Sequence, residues 1–160
     1  MRFKMVDRLR EAMQVRVLRN ACRRHLTNSR EHIGFFRQLR WYFKNYRGDR
    51  KTASYRLYLL YDEQNSPVGY GALAFRNEKL FITECVDRAY RGRGYGLFMV
   101  QRLIEIAAEE KHSLVADIWA NNAPSLALHK KAGFELVSRA TKEGQELQRH
   151  VLSLTEGEEK

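Results

Sequence analysis

A glycine-rich turn lies near the middle of the chain, directly after an apolar segment. The apolar segment covers residues 80–86, and the turn reads Arg91-Gly-Arg-Gly-Tyr-Gly96, with an apolar helical pattern beginning immediately behind it. A strand that leads through such a turn into a helix leaves several backbone N–H groups without intrahelical acceptors, and these groups bind anions. The residues therefore predict a phosphate-binding loop over positions 91–96.

The spacing of the glycines excludes two well-known kinds of phosphate-binding loop. Gly92, Gly94 and Gly96 do not fit the G-x-G-x-x-G pattern of dinucleotide-binding turns, since the third glycine comes one residue early. No Gly-Lys-Ser/Thr closes the loop, so the nucleoside-triphosphate pattern also fails. The remaining pattern, Arg/Gln-x-x-Gly-x-Gly/Ala between a strand and a helix, resembles the pyrophosphate loop of the GCN5-related N-acetyltransferases (GNAT), which use acetyl-coenzyme A. A surface turn with glycines for backbone relief is the alternative interpretation.

A second segment, downstream of the turn, carries the same resemblance. The family has the pattern Asn-x-x-Ala-x-x-Leu-Tyr-x-Lys-x-Gly-Phe, and this chain is similar to it at Asn122, Leu128, Lys131, Gly133 and Phe134. The two motifs occur in the family's order, separated by a predicted helix and strand. The chain is therefore identified as a member of this family over residues 54–154.

The resemblance implies an α/β fold with a mixed, mostly antiparallel sheet flanked by helices. The strands ending near Val86 and Trp119 are expected to splay apart, so that the pantetheine arm of the cofactor lies between them and pairs with exposed backbone, as a peptide pairs with an edge strand. Acetyl-CoA is the expected co-substrate, and no metal is expected. The cofactor-binding residues that the resemblance implies are Cys85 and Val86 for the pantetheine amides, Arg91, Gly92, Arg93, Gly94, Tyr95 and Gly96 for the pyrophosphate, Asn122 for the pantetheine, and Lys131 for the nucleotide end. Asn122 is equally suited to cap the following helix.

Two residues are candidates for the proton transfers of acetyl transfer to an amine. The amine must lose a proton before it attacks the thioester, and the leaving thiolate must gain one. Glu84 is a carboxylate inside an otherwise apolar strand and is the candidate base, with a structural ion pair as the alternative. The family's usual acid is the tyrosine of Leu-Tyr-x-Lys, and His129 stands there in this chain. A neutral imidazole still donates one hydrogen bond, so we expect His129 to act as the acid.

The acceptor amine is expected over the first two helices, where the chain is basic and aromatic. Arg37, Trp41 and Tyr42 are the candidate substrate-binding residues. A basic rim disfavours polyamines and heavily cationic aminoglycosides, and it is more compatible with an amino sugar, a nucleotide-linked amine or an acidic amine. The alternatives are a protein N-terminal or lysine acetyltransferase, and a non-catalytic basic protein that binds CoA or nucleic acid.

Hydrophobic periodicity predicts the elements that position these residues. Helices are expected over 10–26 and 32–46, with Arg47-Gly-Asp49 ending the second, over 95–111 behind the glycine turn, and over 123–131. Strands are expected over 54–61, 68–75, 80–86, 114–119, 134–139 and 146–154. Residues 1–154 are expected to form a single acetyltransferase domain, and the acidic segment 155–160 is expected to be disordered.

Composition bounds the class of protein further. The net charge of +10 favours polyanionic ligands, and the phosphates of CoA account for part of it, so nucleic acid is the less favoured partner. Cys22 and Cys85 are far apart in sequence and indicate neither a zinc site nor a disulfide framework. The chain shows no signal peptide and no apolar run of the ~18 residues that a membrane span needs, so a cytoplasmic protein is expected. A homodimer through the last strands is a family-level expectation.

Overall fold

The computed structural model describes residues 1–154, which form one seven-stranded sheet with helices on both faces. The strand order is β1-β2-β3-β4-β5-β7-β6, and every neighbouring pair is antiparallel except β4 and β5. The strands are β1 Arg2–Met5, β2 Tyr55–Tyr61, β3 Pro67–Arg76, β4 Lys79–Val86, β5 Leu114–Trp119, β6 Glu135–Lys142 and β7 Gln145–Leu152. The helices are α1 Leu9–Cys22, α2 Phe35–Trp41, α3 Arg47–Lys51, α4 Tyr95–Glu109 and α5 Ala123–Lys131. The predicted fold class is confirmed.

The two faces of the sheet bury two different clusters. On one face, α4 packs its buried stripe, which includes Met99 and Leu103, against the strands. On the other face, α1 packs Val15 and Leu18 against β2 and β3. Because side chains alternate along a strand, neighbouring residues of β4 face these two different clusters.

The sheet opens between β4 and β5. These parallel strands pair only at Leu80 with Leu114 and at Phe81 with Val115. Beyond these two pairs the strands separate, while β4 stays paired with β3 as far as Val86 opposite Gly69. The second half of β4 therefore presents one unpaired backbone edge to the gap, as the sequence predicts.

The helical region before β2 is longer than the sequence predicts. A π-helical turn, Tyr42–Tyr46, joins α2 to α3, so the prediction that residues 47–49 end the helix is wrong. A helical glycine costs about 1 kcal/mol, and tertiary contacts outweigh it here: the Tyr46 hydroxyl donates to the Val6 carbonyl, and its ring stacks on Trp41.

Other boundaries shift at the ends of the chain. Strand β1 was not predicted, because four residues that alternate charged and apolar side chains give little signal; it gains its order by pairing with the edge of β2. The first helix ends at Cys22 and continues as one 3₁₀ turn, Arg23–His25. The predicted disorder of 155–160 concerns residues outside those that the structure describes.

Cys22 and Cys85 lie together, although the sequence does not indicate a disulfide. They are bonded to each other between α1 and β4, with their Cα atoms 6.5 Å apart. The alternation along β4 explains the meeting, since Cys85 faces α1 whereas its neighbour Glu84 faces the opposite side.

Candidate active site

A cleft of about 830 Å³ occupies the gap between β4 and β5. The glycine turn, the N-terminus of α4 and the first turn of α5 border it. Nine of the ten predicted cofactor-binding residues line this β4–β5 cleft, together with both predicted catalytic residues. The nine are Cys85, Val86, Arg91, Gly92, Gly94, Tyr95, Gly96, Asn122 and Lys131. Arg93 is the exception: its guanidinium lies over the Tyr90 ring, 5.6 Å from the ring centre.

The glycine turn carries the anion-binding geometry. Gly92 and Gly94 have positive φ angles of 75° and 84°, a conformation that side chains disfavour. A Cβ at Gly94 would meet no atom within 4 Å, so the backbone angle rather than crowding requires glycine there. In the described part of the chain, the amides from Gly92 to Leu97 donate to no backbone carbonyl, and the first turn of α4 has no acidic residue. These free amides and the helix dipole fit a pyrophosphate.

Side chains around the turn and the cleft have defined partners. Arg91 donates from Nε to the Val86 carbonyl over 3.0 Å, which fixes the turn against the end of β4. The Asn122 side chain accepts from the Ser125 amide over 3.4 Å, so Asn122 caps α5. Lys131 ends the same helix and lies on the cleft wall. The capping role is therefore present in the structure, and the cofactor roles of Asn122 and Lys131 remain predictions.

Glu84 and His129 face each other in the cleft. His129 is 1% exposed, and its Nε2 lies 3.6 Å from Glu84 Oε2. The imidazole Nδ1 lies 2.9 Å from the Ser125 carbonyl oxygen. Because a carbonyl only accepts, this contact places a hydrogen on Nδ1. In the neutral imidazole, Nε2 is then a lone pair directed toward the carboxyl group.

Burial favours the neutral form of the Glu84 carboxyl group. Burial raises the pKa of Glu84 above its ordinary value, and His129 together with a hydrogen bond from Ser125 opposes the shift. Nε2 of His129 has no hydrogen-bond partner within residues 1–154. One proton between carboxyl and imidazole would satisfy both groups, so the pair is suited to hold and pass a proton.

A second cavity, of about 470 Å³, lies on the α1 side of the sheet. It meets the β4–β5 cleft at Leu26 and Thr83, which line both. Of the three predicted substrate-binding residues, Arg37 and Trp41 line this second cavity. Tyr42 does not line it: its side chain is buried in the α1 cluster, and its hydroxyl donates to the Asp7 carbonyl over 2.8 Å.

Sequence reasoning missed several residues that complete these sites. Ser125 lies four residues before His129 on α5, a spacing that places both on one helix face and was available from the sequence. Tyr55, Tyr70 and Arg19 line the second cavity, and no local pattern singles them out. Within its own helix or strand, each of these residues stands at a position that an ordinary core residue would occupy.

Two kinds of feature are absent from the described residues. Residues 1–154 contain no group of three or more His, Cys, Asp or Glu side chains placed to hold a metal ion. No helix in this part of the chain is long and apolar enough to cross a membrane.

The fold and the cleft have counterparts among known proteins. The profile of the Acetyltransferase (GNAT) family matches residues 15–134, more than half of the chain. The chain therefore belongs to this family, and the predicted family is confirmed.

Individual relatives match shorter segments. The L-methionine sulfoximine/L-methionine sulfone acetyltransferase of Pseudomonas aeruginosa is 42% identical over 60 residues, which are 37% of this chain and 35% of the relative. YwnH of Bacillus subtilis, a candidate phosphinothricin acetyltransferase, is 34% identical over 91 residues, 52% of this chain and 55% of that protein. The chain thus spans about a third to a half of these curated relatives.

A solved structure matches the whole fold. It is yncA of Salmonella typhimurium, a candidate acetyltransferase with its cofactor acetyl-CoA, which has a TM-score of 0.81 and 23% identity over 100% of this chain and 97% of that chain. At this identity the likeness establishes the fold.

Proposed function

We propose that the protein transfers an acetyl group from acetyl-CoA to the primary amine of a small molecule by direct attack in a ternary complex. The buried Glu84–His129 pair beside the open edge of β4 carries this proposal. Family membership over residues 15–134 supports the reaction class.

The chain offers a binding surface that fits CoA along its length. The free amides of the glycine turn would hold the pyrophosphate, the unpaired edge of β4 at Val86 would pair with the pantetheine amides, and Lys131 would meet the nucleotide phosphate. The backbone of Cys85 faces β3 instead, opposite Tyr70, so the structure does not leave it free for the cofactor. The bound cofactor supplies an electrophilic thioester carbonyl.

Glu84 and His129 then carry out the proton transfers. The Glu84 carboxylate accepts a proton from the substrate ammonium, which frees the nitrogen lone pair for attack on the thioester carbon. After the attack the nitrogen loses a second proton as the amide forms. As the C–S bond breaks, one of the two protons passes through His129 Nε2 to the departing thiolate, and the other leaves to solvent. Ser125 holds the imidazole in position, because its carbonyl accepts from Nδ1 and leaves Nε2 for the transfer.

The acceptor enters through the second cavity in this proposal. Its volume of about 470 Å³ lies within the range of roughly 300–1,000 Å³ that is usual for small-ligand sites. The named relatives act on amino-acid-like molecules, methionine sulfoximine and methionine sulfone in one case and phosphinothricin in the other. A zwitterionic small amine of this kind suits the basic rim around Arg37 better than a polyamine does.

The test follows CoA thiol release with acetyl-CoA and a panel of acceptors: L-methionine sulfone, phosphinothricin, glucosamine 6-phosphate, spermidine and a lysine-containing peptide. We expect turnover with the small acidic amines. Turnover confined to the peptide would replace the small-molecule acceptor with a protein one. Absence of turnover across the panel, with acetyl-CoA bound, would contradict the proposed activity for these acceptors.

His129→Gln tests the proton-transfer role with little change in side-chain volume. We expect kcat to fall about 10²- to 10⁴-fold, the usual contribution of a general acid or base, while the Kd for acetyl-CoA stays within about threefold. Calorimetry gives the Kd, and thiol release gives kcat. Unchanged turnover in this variant would remove His129 from the mechanism.

A further inference from the structure

The second cavity has a strongly basic lining. Four arginines contribute to it, against one carboxylate, Asp49. Two of the four are already engaged: Arg37 pairs with Glu31 over 2.8 Å, and Arg16 donates to the Ile33 carbonyl over 3.1 Å. The excess of positive charge has no matching anion within the described residues.

Arg19 is the buried member of this set. It is 9% exposed, and its guanidinium donates to the carbonyls of Ser29 and Glu31 and to the side chain of Asn20. These three acceptors use both hydrogens of Nη1 and one of Nη2. Nε and the remaining Nη2 hydrogen have no acceptor in residues 1–154, so Arg19 keeps two donors and its full charge for a ligand.

Two tyrosine hydroxyls stand beside Arg19 in the cavity. Tyr70, 3% exposed, and Tyr55 both line the cavity, and neither hydroxyl has a hydrogen-bond partner among the described residues. Burial raises the pKa of Tyr55 to about 12 and raises that of Tyr70 further, so both remain protonated donors at neutral pH. Both tyrosines line the cavity, so an anionic acceptor bound there could accept a hydrogen bond from each hydroxyl.

The position of this group fits the proposed reaction. Tyr70 lies opposite Cys85 in the pairing of β3 with β4, so it is on the strand next to the one that carries Glu84. The cavity opens to the β4–β5 cleft at Leu26 and Thr83. A ligand held by Arg19 on the α1 side can therefore extend past Thr83 into the β4–β5 cleft, which Glu84 lines from the other side of the sheet.

We infer that Arg19, Tyr55 and Tyr70 form a subsite for the anionic group of the acceptor, a carboxylate, phosphinate or phosphate, and that this subsite selects acidic amines over neutral ones. The inference rests on the proposed function, because the anionic group and the acetylated amine belong to the same acceptor molecule. The hydroxyls of the two tyrosines and the guanidinium of Arg19 bind the anion and direct the amine toward Glu84.

The experiment compares matched acceptors that differ only in the anion. L-methionine sulfone is compared with its carboxamide, and glucosamine 6-phosphate is compared with glucosamine. We expect kcat/KM of the wild-type protein to favour the charged member of at least one pair by about 10- to 100-fold, the range of a hydrogen bond to a charged group. Preference for the carboxylate pair or for the phosphate pair identifies the anion. Equal kcat/KM within both pairs overturns the inference.

Three variants test whether Arg19 and Tyr70 cause the preference for the charged acceptor. Tyr70→Phe removes one hydroxyl group from the subsite. Arg19→Lys keeps the charge but removes the planar set of donors. Tyr58→Phe is the control, because it removes a tyrosine hydroxyl group on the opposite face of the sheet. We expect Tyr70→Phe and Arg19→Lys each to lower kcat/KM for the charged acceptor about 10-fold or more and to leave the neutral acceptor within about twofold. Tyr58→Phe should leave both unchanged. Equal losses on both members of a pair would overturn the inference.

A binding measurement separates this inference from the proposed function. Calorimetry of the same acceptor pairs with the CoA-loaded protein needs no turnover. Selective binding of the charged member that is lost in Tyr70→Phe, together with no acetylation of any amine, would sustain the subsite and contradict the proposed function. Failure of every charged acceptor to bind overturns the subsite, whatever activity is found.

Discussion

The β4–β5 cleft and the second cavity differ in how they are assembled. The phosphate-binding part of the cleft comes from one continuous stretch, in which the end of β4, the glycine turn and the start of α4 follow each other directly. The second cavity takes its lining from α1, α2 and three strands, with Arg19 and Thr83 separated by more than sixty positions of the printed sequence. The first site is local in sequence, and the second is built by tertiary packing.

This difference separates two kinds of binding. In the proposed complex, backbone amides hold the cofactor in the cleft, so this site would depend on the positive φ of Gly92 and Gly94 and would tolerate varied side chains around them. Side chains such as Tyr70 hold the acceptor in the proposed subsite, so changes there alter specificity without disturbing the fold or the cofactor. Glu84 lines the β4–β5 cleft and follows Thr83, which lines both cavities, so we expect it to act on a ligand that reaches the cleft from the second cavity.

Glu84→Gln should give the largest effect, because the variant removes the proposed acceptor of the ammonium proton. We expect kcat to fall about 10²- to 10⁴-fold. A glutamine amide can donate to the His129 Nε2 lone pair, so the local packing is kept. For the wild-type protein, kcat/KM should fall on the acid side with a midpoint above the ordinary glutamate value of 4.5, since burial raises the pKa of Glu84. A variant with wild-type kcat would show that the base lies elsewhere.

The same variant also gives a stability readout. Because the pKa of Glu84 is higher in the folded state, the ionised carboxylate costs folding free energy once the pH exceeds 4.5. Glu84→Gln should therefore unfold at the same or a higher denaturant concentration at pH 7, and this advantage should vanish below pH 4.5, where the wild-type residue is protonated in both states. Denaturant titrations at both pH values measure it. A variant that is less stable at pH 7 would show that the charged group stabilises the fold.

Gly94→Ala should give an intermediate effect that is confined to the cleft. A side chain at φ +84° costs about 1–2 kcal/mol, and the turn should relax away from the conformation that aligns its amides. We expect the Kd for acetyl-CoA, measured by calorimetry, to rise about tenfold. Gly144→Ala is the matched control, because Gly144 has φ +71° in the β6–β7 turn and is equally uncrowded. Equal Kd changes in the two variants would contradict the role of the turn.

Arg37→Ala should give the smallest effect, although the sequence selects Arg37 as a substrate-binding residue. Its side chain is 62% exposed and already paired with Glu31. Exposed ion pairs contribute about 0–1 kcal/mol and are screened by salt, so we expect the acceptor KM to change less than about threefold. Steady-state kinetics at low and high salt measure the change. A tenfold rise in KM would place the anionic group of the acceptor at the rim rather than at Arg19.

The predicted elements from β2 onward agree closely with the structure, whereas the predictions for the N-terminal half agree less well. β5 and α5 match their predicted bounds. β5 is a short, almost wholly apolar and buried run, and α5 has clear end signals, since Asn122 precedes it and Gly133 follows it with φ +92°. The end of the second helix was misplaced because Gly48 lowers helix propensity locally, while the buried Tyr46 holds the segment helical through distant contacts.

By itself, the sequence determined the family, since two short motifs with fixed spacings carry it. The sequence also predicted a phosphate-binding turn and the candidate pair Glu84 and His129, each from the residue type at its position. Only the tertiary structure decided that Glu84 faces His129 while Cys85 faces Cys22, because the register of β4 against β3 sets which side of the sheet each side chain occupies. It also decided that Tyr42 serves the core and that Arg19 and Tyr70 line a cavity. Burial, orientation and the free donors of a side chain arise from residues that are distant in the chain, and no local spacing encodes them.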